Sequence, residues 1–242
     1  MKAIILSAGQ GSRLGHLTDD RPKCLIEFGG RSLLDWQLDT LAANGIEEVV
    51  VVTGFRDDQI EASLARRTGG PTVRTRFNPF YKVADNLGSL YMVRDELAGD
   101  CLVWNGDTLV SKALMARVVT NDTQGICVTI DRKPAYDDDD MKVIADDAGR
   151  LRAIGKRIKD GVNAESIGLL AFRGGGAERF AEAIDKAMRT SEGTTIWYLR
   201  VIHHLAQDGE VWTFDISGEQ WGEVDFPEDV APAEALVKGW DA

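Results

Sequence analysis

The chain has 242 residues, 44% of them hydrophobic and 28% charged, which is enough apolar material for a sizeable core and too much for a disordered segment. A formal net charge of −11 argues against a broad nucleic-acid or anionic-membrane surface, so any phosphate site must be a local basic island. No apolar run approaches ~18 residues and the N-terminal run is too short for a signal-peptide core, which makes a soluble, cytoplasmic protein the expectation.

Lys2–Leu6 reads as a buried strand, and it leads directly into Ser7-Ala8-Gly9-Gln10-Gly11-Ser12-Arg13-Leu14 and then Arg21-Pro22-Lys23. Small residues let backbone N–H groups come close to a phosphate chain, while Arg13 and Lys23 add charge that glycine cannot. A P-loop would need Gly-Lys-Ser/Thr, which is absent, and a dinucleotide fingerprint would need a third glycine where Leu14 stands. The pattern points to a nucleoside-triphosphate site. The competing reading is a glycine turn beside two ordinary surface cations, and Arg21-Pro22-Lys23 weakens it.

Residues 32–43 carry helical spacing (Leu33, Leu34, Trp36, Leu38, Leu41) and stop at Gly45. Residues 47–54 contain four consecutive valines and predict a strand covered on both faces, followed by a helix over 57–67. Strand Thr72–Phe77, a helix over 87–97 and a strand over 100–104 continue the alternation. Such alternation predicts βαβ units and an α/β, doubly wound, mostly parallel sheet, whose ligands bind at the carboxyl ends of strands. Gly9 and Asp107 both fall there.

Beyond Ser111 the pattern loosens into strand Gly125–Asp131, a hairpin over 141–154 turning at Asp146 to Gly149, and a strand over 166–172. Helices over 177–188 and 195–205, a strand over 211–216 and a helix over 227–237 complete the reading. No internal repeat or long linker breaks the chain. Cys24, Cys101 and Cys127 are widely spaced in or beside apolar runs and read as buried, reduced thiols. His16, His203 and His204 receive no role.

Two aspartates stand out. The apolar run Cys101 to Asn105 ends in Gly106-Asp107, placing a carboxylate just past a strand, where it is either a turn residue or a hard-cation ligand. Asp225, in Trp221-Gly222-Glu223-Val224-Asp225-Phe226-Pro227, either caps the last helix or joins that site.

Met1 to Leu25, with Ala8-Gly9-x-Gly11-Ser12-Arg13-Leu14, Leu17-Thr18 and Pro22-Lys23-x-Leu25, closely resembles the signature of the nucleotidyltransferases that couple a nucleoside triphosphate to a sugar phosphate or to phosphocholine. The resemblance implies a Rossmann-like, glycosyltransferase-A-like sheet with a small antiparallel substrate-side addition. It also implies one domain, with a nucleotide-binding half over 1–110 and an acceptor-binding part over 111–242. By the same resemblance Ala8, Gly9, Gly11 and Ser12 wrap the triphosphate, Arg13 faces the pyrophosphate portion, and Lys23 lies near the phosphate under attack. Asp107 and Asp225 match the two aspartates that hold Mg²⁺.

Asp85-Asn86-Leu87-Gly88-Ser89-Leu90-Tyr91 is similar to the phosphocholine cytidylyltransferase group, which implies CTP and places Asn86 and Ser89 near the nucleotide; otherwise Asn86 merely caps a helix. For the acceptor, Tyr136, Trp197 and Trp221 are candidate aromatic faces for a quaternary ammonium, against the plainer reading of tryptophans as core and Asp137 to Asp140 as a solvated loop. Lys142 and Lys156 are candidates for the acceptor phosphate, and the resemblance adds Glu165. The expected activity is Mg²⁺-dependent transfer of CMP from CTP to phosphocholine or a similar phosphorylated amino-alcohol. The alternatives are a sugar-1-phosphate nucleotidyltransferase and a non-catalytic nucleotide-binding module. No nucleic-acid or membrane partner is expected, and self-association into a homo-oligomer is left open.

Overall fold

Four consecutive valines, Val49 to Val52, leave a strand no polar face, and all four are buried, alternately in two cores on opposite faces of one sheet. A computed structural model describes residues 1–209 and 211–240. In chain order, β1 (Lys2–Leu6) is followed by the short pair β2 (Glu27–Phe28) and β3 (Arg31–Ser32), then α1 (Leu33–Ala43), β4 (Glu48–Thr53), α2 (Asp57–Ala65), β5 (Thr72–Phe77), α3 (Asn86–Met92), β6 (Cys101–Asn105), β7 (Thr108–Val110) and α4 (Lys112–Thr120). The remainder comprises β8 (Gly125–Asp131), β9 (Lys142–Ala145), β10 (Leu151–Ile154), β11 (Ala164–Arg173), α5 (Gly176–Met188), α6 (Tyr198–Gln207), β12 (Val211–Asp215), β13 (Trp221–Glu223) and α7 (Val230–Trp240).

The main sheet runs β10-β9-β11-β6-β1-β4-β5, with β8 also paired to β11 and β12 paired to β8. The pairs β1–β4, β1–β6 and β4–β5 are parallel, as the alternation predicts. Leu6 is level with both Val52 and Asn105, so the loop after β1 and the turn after β6 leave the sheet side by side. The expected antiparallel addition is present, and it is continuous with the main sheet. Strand β11, buried along its ten residues, pairs antiparallel with β6, β8 and β9. A register shift between Ser166 and Leu170 bends it, and Gly168 takes a left-handed φ of 71° there.

Differences from the sequence reading have local causes. The helix expected over 87–97 ends at Met92 and is followed by a 3₁₀ turn, Arg94–Glu96. The helix expected over 195–205 begins only at Tyr198. Helix α4 escaped the reading; its signals are Ser111, whose Oγ accepts from Leu114 N, and the helical spacing of the buried Leu114, Met115 and Val118. The pair β7–β13 also escaped it, and that pair positions the site: Glu223 is registered opposite Thr108, and Val224 N donates to Asp107 O at 3.0 Å. The three cysteines are free and buried, and burial pushes each thiol up to about 12. Among the described residues no helix is long and apolar enough to cross a membrane.

Candidate active site

The loop after β1 is held open by three of its own residues. Leu14 is fully buried against Phe28, Leu33, Trp36, Leu109 and Val224, which pins the loop to a small core beside the sheet. Thr18 Oγ1 donates to Gly11 O at 2.9 Å and to Gly15 O at 3.3 Å, closing the far end. Gly11 has a φ of +75°, and a Cβ there would lie 2.9 Å from both Cβ and Cδ of Lys23. Glycine therefore serves twice, taking a left-handed turn and leaving room for the Lys23 stem. Gly9, Ser12 and Arg13 are exposed along this loop, while Ala8 is buried and its carbonyl accepts from Phe55 N at 3.0 Å.

The charges converge where the two parallel strands end. Lys23 Nζ donates to Asp107 Oδ2 at 2.9 Å and to Asp225 Oδ1 at 2.5 Å. Arg13 Nη2 donates to Asp225 Oδ2 at 2.6 Å, and its Nη1 reaches Asp139 Oδ1 at 3.2 Å. Burial alone would lower the Lys23 ammonium, but Asp107 and Asp225 outweigh it and the net direction is up. Burial likewise opposes ionisation of Asp225, and Lys23 and Arg13 outweigh it, so that carboxyl is held below its ordinary value. Glu223 borders the same cluster. Residue 223 is exposed, but the protein packed around its carboxyl, then the charges of Asp107 and Asp225, push that carboxyl up.

Two carboxylates from distant segments thus meet at one positive point, the lysine ammonium. Among the described residues, no group of three or more His, Cys, Asp or Glu side chains forms a ready-made metal centre. Two carboxylates completed by substrate phosphates is nevertheless a donor set that suits Mg²⁺, so the residues present fit such an ion.

Beside this cluster lies a groove of about 540 Å³ bordered by Asp85, Met141, Ile154, Lys156, Trp197 and His203 among others. Lys156 Nζ stands 5.3 Å from the centroid of the Trp197 ring and 3.4 Å from Asp139 Oδ1. Of the six acceptor-side candidates, the groove gathers Lys156 and Trp197. Lys142 is buried behind them, donating to Lys156 O at 3.2 Å. Tyr136 is turned to its own loop, its hydroxyl accepting from Lys133 N at 3.3 Å. Trp221 is not brought to the groove: its indole N–H donates to Asp131 Oδ2 at 2.8 Å and its ring packs on the core. An aromatic box of Tyr136, Trp197 and Trp221 is therefore not assembled. A second cavity, of about 480 Å³, lies beside α1 and α2, where Asp35 and Asp39 pair with Arg31 and Arg67, and neither Lys23, Asp107 and Asp225 nor Lys156 and Trp197 line it.

Residues 3–154 match the model of the MobA-like NTP transferase domain. The chain belongs to this family. Over 98% of its length it is 26% identical to a choline-phosphate cytidylyltransferase of Streptococcus pneumoniae, covering 99% of that protein. It is 28% identical over 97% of its length to a CMP-5'-(3-aminopropyl)phosphonate synthase of Streptomyces rubellomurinus, of which it spans 38%. The solved structure of the Streptococcus pneumoniae CTP:phosphocholine cytidylyltransferase superposes with a TM-score of 0.80 at 25% identity, covering 98% of each chain. The inositol-1-phosphate CTP transferase of T. maritima superposes at 0.81 with 23% identity over 98% of this chain and 96% of that one, a likeness of fold. The protein is a nucleotidyltransferase.

In this NTP transferase Asn86 and Ser89 have protein partners. Asp85, not Asn86, caps α3, its side chain accepting from Asn86 N. Asn86 Oδ1 accepts from Tyr198 N at 2.9 Å, and Ser89, buried, accepts from Asn78 Nδ2 at 3.1 Å. The sequence reading passed over Glu223 and the specific contact of Asp139. The spacing Glu223-x-Asp225 at a strand end was the available signal for the first, because alternate residues share a face. The second had no signal among four consecutive aspartates.

Glu165 anchors the acidic loop from beneath. Lys133 Nζ lies 3.0 Å from Glu165 Oε2 and 2.7 Å from Asp140 Oδ1. Burial first, then the hydrogen bond and charge of Asp140, push the Glu165 carboxyl up to about 7 against the pull of Lys133. The folded protein then binds this proton more tightly than the unfolded chain does, so stability falls as pH rises from 4.5 towards about 7 and stays lower above it. Melting temperatures are expected to drop by about 4–8 °C between pH 5 and 7.5, for about 2 kcal/mol, and Glu165→Gln to flatten that slope. An unchanged slope in the variant would remove Glu165 as its source.

Proposed function

We propose that the protein transfers CMP from CTP to phosphocholine or a similar small phosphorylated amine, releasing pyrophosphate. One observation carries the reading: Asp139 Oδ1 lies within 3.2 Å of Arg13 Nη1 in the β1 loop and 3.4 Å of Lys156 Nζ in the groove. A single anionic oxygen touching both cations marks where the phosphates of two substrates would meet. Two of the similar proteins, the choline-phosphate cytidylyltransferase and the CMP-5'-(3-aminopropyl)phosphonate synthase, carry a phosphorus acid and a nitrogen-bearing group in the compounds that name them, and the Asn86-x-x-Ser89-Leu90-Tyr91 motif agrees with CTP.

In this reading an acceptor phosphate oxygen bonds to the α-phosphorus of CTP while the bond to the β-phosphate oxygen breaks, so no covalent enzyme intermediate arises. Each pair of like unit charges at about 4 Å costs ~4 kcal/mol at an effective dielectric near 20, and this is the barrier the site must lower. Arg13 and Lys23 offset it by leaving their carboxylate partners for phosphate oxygens, and Lys156 takes the acceptor phosphate once Asp139 withdraws. Asp107 and Asp225 would hold Mg²⁺, which supplies charge neutralisation at the triphosphate when bound. The Trp197 face, already beside one cation, receives the acceptor's ammonium group.

A matrix of nucleoside triphosphates and acceptors, read by pyrophosphate release, tests this. Turnover is expected with CTP and phosphocholine, phosphoethanolamine or 3-aminopropylphosphonate. Turnover confined to UTP or dTTP with a hexose 1-phosphate refutes it. Trp197→Ala is expected to raise the acceptor KM about tenfold, as loss of a partly desolvated cation–π contact of ~1–2 kcal/mol implies, with the CTP KM unchanged. Equal KM values for variant and wild type would free the ring of that role.

A further inference from the structure

Trp197 and its neighbour Tyr198 face opposite ways from the start of α6. Trp197 borders the groove, whereas Tyr198 is fully buried, edge-on to Phe180, with its hydroxyl donating to Asn105 Oδ1 at 3.0 Å. Asn105 ends β6 and stands two residues before Asp107. We propose that Tyr198 is a positioning residue that couples acceptor binding in the groove to the placement of the Asp107 turn. The proposal rests on the reading of Asp107 and the groove given above.

The turn itself is clamped on its other sides. The amide Nε2 of Gln37, a fully buried side chain of α1, donates to Asn105 O at 2.8 Å and to Thr108 O at 3.0 Å, bracketing Gly106 and Asp107. Thr108 Oγ1 donates to Ile167 O at 3.1 Å. A Cβ on Gly106 would lie 2.4 Å from Leu6 O, so the turn is pressed against the end of β1. The Asn105 side chain fills the space beside the left-handed Gly168, where a Cβ would come within 2.3 Å of its Nδ2. These contacts come from the sheet and from α1; among the side-chain hydrogen bonds of the described residues, that of Tyr198 to Asn105 runs from the turn to the groove wall.

That wall and Tyr198 are tied into one unit because the helix start is not capped by its own residues. Trp197 provides no side-chain cap, and the Tyr198 N–H is instead taken by Asn86 Oδ1 at 2.9 Å. Asp85 N donates to Thr194 O at 2.8 Å, so the first turn of α3 and the approach to α6 are tied together. Asp85 and Trp197 both border the groove. A ligand drawn against Trp197 therefore acts on a unit from which the buried Tyr198 hydroxyl reaches Asn105. Burial raises the phenol well above its ordinary value, so it remains a donor across the working range.

The experiment compares wild type, Tyr198→Phe, Asn105→Ala and the double variant. The readouts are pyrophosphate release and, without turnover, Mn²⁺-dependent binding of an α,β-methylene CTP analogue with and without acceptor. We expect Tyr198→Phe to lower kcat about tenfold, the scale of one buried hydrogen bond, with the acceptor KM within twofold. Acceptor should tighten analogue binding in wild type and not in Tyr198→Phe, and the double variant should be no slower than the slower single one. Additive losses, or a lower Tm with unchanged kcat and unchanged tightening, would make Tyr198 a structural residue only. Should Tyr198→Phe not fold, Asn86→Ala unties the same helix start and must reproduce the kcat loss. A wild type inactive with every substrate pair, whose analogue binding survives Asp107→Ala, instead overturns the underlying reading of the site and the proposal with it.

Discussion

Asp107→Ala is expected to fold normally and to lose turnover by about a thousandfold or more, the scale on which preorganised charge at a reacting phosphate acts. The fold does not depend on this side chain. Its carboxylate is 23% exposed at the cleft, while the carbonyl that receives Val224 N belongs to the backbone and survives the substitution. Gln37 and Thr108 hold the flanking residues from outside. What disappears is one of two carboxylates meeting at the Lys23 ammonium. Lys23 is then drawn wholly to Asp225, and a hard cation there would have a single carboxylate. Far-ultraviolet circular dichroism and a melting curve near wild type, together with abolished pyrophosphate release, are the expected pair of results. Turnover within tenfold of wild type removes Asp107 from the chemistry.

The β1-loop part of this site is legible in the sequence because each motif residue has a local reason to be what it is. Gly11 gives way to the Lys23 stem, Thr18 ties the loop, and Leu14 anchors it. Strands Thr72–Phe77 and Gly125–Asp131 are read at their true bounds because turn residues flank both. The meeting of Asp107 with Asp225 is not legible from periodicity. It depends on β7 and β13, three residues each, which are too short to show a period and are defined only by pairing with one another. The aromatics fail for a different reason: Trp197 and Trp221 are equally suited to a core or to a ligand face. Only the fold sends one to the groove and the other to Asp131. Among Asp137 to Asp140, the fold likewise selects Asp139 for Arg13 and Asp140 for Lys133.

Lys23→Met is expected to cut turnover by about a thousandfold and, unlike Asp107→Ala, to make stability depend on divalent cation. Methionine keeps an unbranched stem to run beneath Gly11, so the loop retains its packing. The loss is the ammonium from between two carboxylates that are 23% and 18% exposed. Arg13 remains on Asp225, and partial exposure screens the rest, so the cost is about 1–2 kcal/mol, below that of breaking a fully buried pair. On this scale Tm falls by about 2–8 °C. Asp225 is held below its ordinary value chiefly by Lys23, and that contribution is present at neutral pH and lost on acidification; the gap between variant and wild type should therefore close as pH falls below 3.8. Mg²⁺ held by Asp107 and Asp225 would compete with the ammonium in wild type, whereas in Lys23→Met its one cationic rival among these contacts would be Arg13 at Asp225. At a hundredfold excess over its dissociation constant, a cation binding only the folded state adds about 2.7 kcal/mol. Titrating Mg²⁺ should raise the Tm of Lys23→Met more than that of wild type. Equal responses would mean that the two carboxylates do not share one cation site, and the assignment of Asp107 and Asp225 to a metal would fall together.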